Sequence, residues 1–221
     1  MRTLAWTFLT FMLLVATATA VPKPHVISFG KASLVKWFVG SDETQARDLK
    51  IRPLLVDGRV KESTVGSPHD ITDRLFVIQR AFRINDALGD EPSSPRLWKW
   101  ERGGWLLVDR VTGRISAVTL PEFDPSLSSL SWYRDYAAYC GLSEDGKRVS
   151  AVVTQLGRRK PFLKKPLGSF LDEDKPECGC AVPMWQRQPA RVTFNAGKDQ
   201  EFTFSIRGHV LEMVEDEEPT E

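Results

Sequence analysis

The chain has 221 residues and a mass of 25.0 kDa, which is enough for one domain with a substantial core. Its 30 Lys and Arg residues balance 29 Asp and Glu residues, and 42% of the residues are hydrophobic. A net charge near zero argues against a protein that binds nucleic acid through a basic surface. The ordinary ratio of apolar to charged residues excludes a disordered chain.

Residues 1–20 have the pattern of a secretory signal peptide. Arg2 precedes an apolar run from Leu4 to Ala16, and Ala18-Thr19-Ala20 forms an A-x-A cleavage site. A membrane anchor is the alternative, but the run has about 13 residues, whereas a transmembrane helix needs ~20. No later stretch is apolar enough to span a bilayer. We therefore expect a soluble, exported protein in the periplasm or outside the cell.

The three cysteines, Cys140, Cys178 and Cys180, agree with an oxidising compartment. A bridge between Cys178 and Cys180 would close a small, strained ring. A bridge from Cys140 closes a loop of about 40 residues, which stabilises a fold by roughly 3–4 kcal/mol. We predict a Cys140–Cys180 disulfide. The alternative is a redox-active or metal-binding C-x-C pair, although zinc normally takes four ligands.

Segments rich in Val, Ile, Phe and Trp alternate with clusters of Gly, Asp, Pro and Ser, which is typical of an all-β protein. Asp57-Gly58 between two such segments predicts a hairpin with a type I′ turn. Residues 124–139 are the main helix candidate, but their serine content favours a short helix or an irregular loop. The predicted strands are 25–29, 34–39, 49–56, 59–63, 75–84, 104–108, 114–120, 136–142, 148–155, 159–164, 191–194 and 201–207.

In the last predicted hairpin, Phe202 and Phe204 alternate with Thr203 and Ser205, so it should have one dry and one wet face. We expect one β-rich domain over residues 21–211. An acidic, flexible tail over residues 212–221 should follow it.

Two segments combine an apolar strand, a polar turn with glycine and a second strand, namely WLLVDRVTGRISAVTLP (105–121) and YCGLSEDGKRVSAVVTQLG (139–157). They resemble the hairpins of WD40-type and TolB-type β-propeller repeats. In that resemblance, residues 143–147 stand where those repeats carry Ser-Pro-Asp-Gly-Lys, with Glu144 in place of proline. The resemblance implies an irregular propeller-like scaffold that binds partners at its channel face. A β-sandwich with Greek-key connections is the alternative.

Candidate chemistry is confined to the segment SPHDITDR, where His69, Asp70 and Asp73 could ligate a metal or act as base and orienting group. The alternative is a turn in which Asp70 caps the backbone before the next strand. We favour the turn, so no cofactor, metal site or catalytic residue is assigned.

Trp98, Trp100 and Trp105 crowd into the segment LWKWERGGW. In a strand Trp98 and Trp100 share a face, and Gly103-Gly104 would allow a tight reversal that brings Trp105 back against them. An exposed face of this kind would be an aromatic platform for a protein or glycan partner, whereas a buried one would be core.

The basic segment 157–165 (GRRKPFLKK) could attract an anionic partner or lipid. We favour an exposed strand edge protected by Lys and Pro, whose charge the acidic residues 171–177 could neutralise. The sequence thus predicts an exported, non-catalytic β-rich binding or scaffold protein. A secreted hydrolase, metal-assisted through His69 and Asp70, is the alternative.

Overall fold

A computed structural model describes residues 24–38, 46–85, 98–169, 181–195, 201–207 and 210–213. These ranges contain no helix, and the prediction of a single, mainly antiparallel all-β domain is confirmed. The strands are β1 (Ile27–Phe29), β2 (Ser33–Phe38), β3 (Ala46–Val56), β4 (Arg59–Asp70), β5 (Leu75–Asn85), β6 (Trp98–Asp109), β7 (Ile115–Ala117), β8 (Leu130–Tyr133), β9 (Tyr136–Leu142), β10 (Arg148–Gln155), β11 (Leu163–Ser169), β12 (Met184–Gln186), β13 (Arg191–Asn195), β14 (Glu201–Arg207) and β15 (Val210–Met213).

The first sheet contains β1 to β7 and closes on itself through one parallel bridge. Strands β2 to β6 pair antiparallel in chain order. The ring is closed where Trp37 of β2 pairs in parallel with Trp100 of β6. β1 lies beside the end of β3, and β7 lies beside β6. The closure places two tryptophans from distant parts of the chain at one seam.

The hairpin between β3 and β4 has the predicted turn. Asp57 and Gly58 have φ angles of 53° and 75°, and a type I′ turn requires positive φ at both central positions. The Asp57 carboxylate also accepts hydrogen bonds from His25 Nδ1 at 2.6 Å and from the Val26 amide at 3.0 Å. The bond from His25 is the main cause that lowers the pKa of Asp57. The turn therefore ties the start of the described chain to the first sheet.

Hydrophobic residues are buried on both faces of the first sheet. Along β3, Leu49 and Ile51 belong to one buried cluster, with Trp37 and Ala81. Leu54, three residues further on, faces the other way and belongs to a second cluster. The second cluster contains Leu54, Phe76, Ile78, Leu106 and Val108.

The second sheet (β8 to β11) and the third sheet (β12 to β15) are each four-stranded antiparallel meanders. They share one core, in which Ala138 and Cys140 of β9 pack with Val192 and Phe194 of β13 and Phe204 of β14. Face-to-face packing of this kind is a sandwich arrangement. Its strands follow one another in chain order, so the Greek-key connections expected for a sandwich are absent from the described strands.

The opposite face of the second sheet packs against the connection from the first sheet. Tyr139 is fully buried there and donates a hydrogen bond to the Pro121 carbonyl at 2.7 Å. Phe123 meets the Tyr139 ring edge-on, with ring centroids 5.4 Å apart. Burial of the phenol, with the nearby carboxylate of Glu122, raises the pKa of Tyr139. The second sheet is thus covered on both faces.

Several predicted boundaries in the first and second sheets were wrong. Residues 67–70 continue β4 past an irregularity between Val65 and His69, and Thr72, not Asp70, caps the Leu75 amide. The helix candidate contains the strand β8, preceded by a turn in which the Asp124 carboxylate accepts two backbone hydrogen bonds.

Other differences lie in the second and third sheets. The predicted strand 159–164 begins instead at Leu163, and β11 is the edge strand of its sheet. Ser205 is buried, so the second face of β14 is not wet as expected. β15 reaches Met213, two residues beyond the expected end of the domain.

Some predictions concern residues outside the described ranges, namely the signal peptide, the acidic loop 171–177, Cys178, Cys180 and the end of the acidic tail. Cys140 is described and is buried in the core. Within the described ranges, no helix has the length and apolar character needed to cross a membrane.

Candidate aromatic binding surface

Trp98 and Trp100 lie on one face of β6, as predicted, and Arg83 of β5 contacts both rings. Arg83 pairs directly with Trp100, and Asn85 pairs with Trp98. The Arg83 guanidinium carbon lies 5.3 Å from the Trp98 ring centroid and 5.4 Å from that of Trp100. These are cation–π distances. We call Arg83, Trp98 and Trp100 the aromatic surface.

The two rings of the aromatic surface differ in exposure. Trp98 is 51% exposed, whereas Trp100 is half-buried and packs against the cluster that contains Trp37 and Ala81. Trp98 therefore offers an accessible ring at the end of a paired strand. The contact with Arg83 restricts its orientation before any partner arrives.

A second arginine, Arg102, contacts Trp37, which pairs with Trp100 where the first sheet closes. The Arg102 guanidinium carbon lies 5.2 Å from the Trp37 ring centroid, and Arg102 Nη2 donates to Gln79 Oε1 at 3.3 Å. Buried Gln79 in turn donates to the Gly103 carbonyl at 3.1 Å. Desolvation lowers the pKa of Arg102. These contacts hold β6 against β5 and β2 behind the exposed ring.

Trp105 does not join the aromatic surface. β6 is one continuous strand, so the reversal predicted at Gly103-Gly104 does not occur. Instead, both glycines lie opposite Arg80 alone, in a bulge between Gln79 and Ala81. Trp105 packs edge-on against Trp132 of β8, with centroids 5.5 Å apart. Its role is to join the first and second sheets.

His69 lies at the same junction. Its ring stacks on Trp132 at 6.0 Å, and its Nε2 lies 2.8 Å from the Arg134 carbonyl oxygen, to which it can donate. These contacts cross from β4 to the turn after β8. They fix the position of the His69 ring between the two sheets.

Asp70 and Asp73 contact arginine. Arg110 Nη2 lies 2.6 Å from Asp70 Oδ1, and its Nη1 donates to the Asp73 carbonyl at 3.2 Å. Nearby, Arg74 forms a two-pronged ion pair with Asp109, with distances of 2.9 and 2.5 Å. This pair lowers the pKa of Asp109. The described residues contain no group of three His, Cys, Asp or Glu side chains placed to hold a metal ion.

Sequence reasoning missed Arg83, Arg102 and Trp37. No local motif marks them, because each meets its tryptophan or arginine partner across strands. The register of β5 against β6, once known, would place Arg83 beside Trp100. Trp37 could be found only through the parallel closure.

No protein-family model, curated protein or solved structure matches this chain. The aromatic surface combines an accessible flat apolar ring with an adjacent planar cation, which suits stacking and hydrogen bonding with a partner.

Proposed function

We propose that this protein is a non-catalytic binding or scaffold module that holds another macromolecule, a protein or a glycan, through the aromatic surface. The half-exposed Trp98 ring, held by Arg83, is the observation that carries the proposal. Trp and Arg are the residue types most enriched among the few residues that dominate binding energy. A pre-oriented ring also loses little conformational freedom when it binds.

The contribution of Trp98 to the binding free energy follows from the area of its exposed surface. A tryptophan side chain buries up to about 250 Å², so covering its exposed half removes roughly 100–125 Å² from water. At about 25 cal/mol per Å², this contributes ~3 kcal/mol to binding. A loss of this size would weaken binding by roughly a hundredfold.

The test compares the mature protein with the variants Trp98→Ala and Arg83→Gln. Immobilised proteins are probed with glycan arrays and with extracts of the cell envelope and medium, and retained species are titrated individually. Trp98→Ala should weaken binding at least tenfold, and Arg83→Gln should weaken it less. Val60→Ala, which truncates a side chain 63% exposed on β4, is the matched control and should bind normally.

Two outcomes would contradict the proposal. One is that the mature protein retains no protein and no glycan. The other is that Trp98→Ala binds a retained species as tightly as Val60→Ala does.

Export and the disulfide are parts of the same proposal. The signal-peptide pattern of residues 1–20 supports secretion, and an oxidising compartment would join Cys140 to Cys180. Non-reducing peptide mapping of the secreted protein should recover a Cys140–Cys180 peptide. The variant Cys180→Ser should release Cys140 as a thiol, whereas Cys178→Ser should not. Retention of residues 1–20 in the secreted protein would contradict cleavage.

A further inference from the structure

We propose a second binding site, in which an extended acidic peptide of a partner protein adds as a strand to the outer edge of β7. The site is a cleft between the first and second sheets, distinct from the aromatic surface. The inference does not depend on the function proposed for Trp98.

The cleft has a volume of about 520 Å³. One wall is formed by residues 117–119, at the end of β7 and just after it, and the other by the turn after β10, which contains Leu156, Gly157, Arg158 and Arg159. Half-buried Leu107 and Leu156 also line it. An apolar side chain of a bound peptide would pack against these two leucines.

The β7 wall offers a strand edge. β7 pairs with β6 on one side only, and the hydrogen bond from the Val118 amide to the Trp105 carbonyl, 2.8 Å long, continues that ladder. Backbone groups alternate in direction along a strand, so the amide and carbonyl of Ala117 point away from β6. Ala117 is exposed, and its backbone has no hydrogen-bond partner among the described residues beyond that ladder. An added strand would pair with these groups.

The opposite wall is cationic. Arg158 and Arg159, which line the cleft, are both exposed, and neither forms an ion pair within the part of the chain that the structure describes. The Arg158 guanidinium carbon lies 4.4 Å from the Phe162 ring centroid, which restrains this side chain. In contrast, Lys164, further along the basic segment, pairs with Glu122 at 2.6 Å.

The two walls together specify the occupant. An exposed strand edge selects an extended backbone, and the two adjacent arginines of the opposite wall select carboxylates. A membrane surface would satisfy the cations but could not pair with the Ala117 backbone inside a cleft. An acidic peptide in β conformation satisfies both walls, so we assign the site to it.

The probe is a fluorescent peptide of about eight residues, a typical strand length, that alternates Glu with Val and Thr. Anisotropy titrations at low and high salt measure its affinity for the mature protein. The double variant Arg158→Glu with Arg159→Glu and the edge variant Ala117→Pro should each weaken binding at least tenfold. Added salt should weaken binding by the unmodified protein. The same peptide with one central residue replaced by proline should bind poorly.

Matched controls show whether the peptide binds at this cleft. Arg59→Glu with Lys61→Glu reverses two exposed charges on β4 and should leave peptide binding unchanged, as should Trp98→Ala. Urea unfolding checks that each variant folds. If Ala117→Pro does not fold, the arginine double variant still tests the proposal.

Four results would overturn the proposal. The unmodified protein could fail to bind the peptide, or the arginine double variant could bind as tightly as the charge control. Vesicles containing phosphatidylserine could bind through the arginines while Ala117→Pro has no effect on peptide binding or on vesicle binding. This result would assign the cations to a lipid surface. Tighter binding of a peptide copied from residues 212–221 than of the alternating probe would assign the cleft to the chain's own tail.

Discussion

Tyr139→Phe removes a single oxygen atom from the interior of the second sheet. Tyr139 is fully buried, and its hydroxyl donates to the Pro121 carbonyl at 2.7 Å. The phenylalanine ring can keep the edge-on contact with Phe123, so the packing should change little. The Pro121 carbonyl, however, loses its donor, and an unsatisfied buried acceptor costs about 1–3 kcal/mol. For a domain of this size, each kcal/mol lowers Tm by roughly 2–4 °C.

Urea unfolding of the purified protein, followed by far-ultraviolet circular dichroism, measures this loss. The m-value should stay constant while the midpoint falls. Tyr136→Phe, on the same strand, is the matched control. Tyr136 packs against Phe162 with centroids 5.6 Å apart, and its hydroxyl has no hydrogen-bond partner among the described residues. Its loss of stability should stay below about 0.5 kcal/mol.

The pH dependence of stability gives a second, independent measurement. The pKa of Tyr139 is raised above its ordinary value of 10.0, mainly by burial. Its contribution to stability is therefore complete below pH 10 and is lost as pH rises, because the unfolded state releases the proton first. The stability difference between the wild-type protein and Tyr139→Phe should shrink above pH 10. Equal losses for Tyr139→Phe and Tyr136→Phe at neutral pH would refute the reasoning.

Three further predictions follow from the fold. Gly58→Ala puts a β-carbon at a φ of 75°, so it should lower the free energy of unfolding by about 1–2 kcal/mol. Gly104→Ala has open space around the new atom and should be neutral or slightly stabilising in the same urea assay. Asp109→Asn should lower Tm at pH 6, because it removes the ion pair with Arg74. The Tm difference from the unmodified protein should shrink as pH falls below 4, because this ion pair holds the pKa of Asp109 below its ordinary value of 3.8. A Tm difference that stays constant with pH would exclude the ion pair as the cause. Phe194→Ala empties a fully buried position between the second and third sheets, so it should lower the free energy of unfolding by about 3–5 kcal/mol. A loss below about 1 kcal/mol would show that these sheets do not share a core.

Turn chemistry was predictable because it is local. The positive φ values of Asp57 and Gly58 follow from two adjacent residues and the right-handed twist of the flanking strands. The turn at residues 143–147 is also local, since the Asp145 carboxylate accepts hydrogen bonds from the Ser143 hydroxyl and the Lys147 amide. The bond from Ser143 is the main cause that lowers the pKa of Asp145.

The extent of the strands was less predictable. Pro68 and His69 have turn-forming character, yet pairing of His69 with Val77 keeps them in β4. Gly103 and Gly104 similarly indicated a reversal, but the bulge opposite Arg80 accommodates them within β6. In both cases hydrogen bonding to a neighbouring strand overrode the local preference of the residues.

The alternation of apolar residues determined, without any structure, that this chain is an antiparallel all-β protein and that Trp98 and Trp100 share a face. Such features depend on residues one or two positions apart, whose directions a strand sets by itself. Only the tertiary structure decided that Arg83 contacts both of those rings, that Trp37 closes the first sheet, and that Trp105 joins two sheets instead. These arrangements depend on strand register and bulges, which are settled by contacts between residues far apart in the chain.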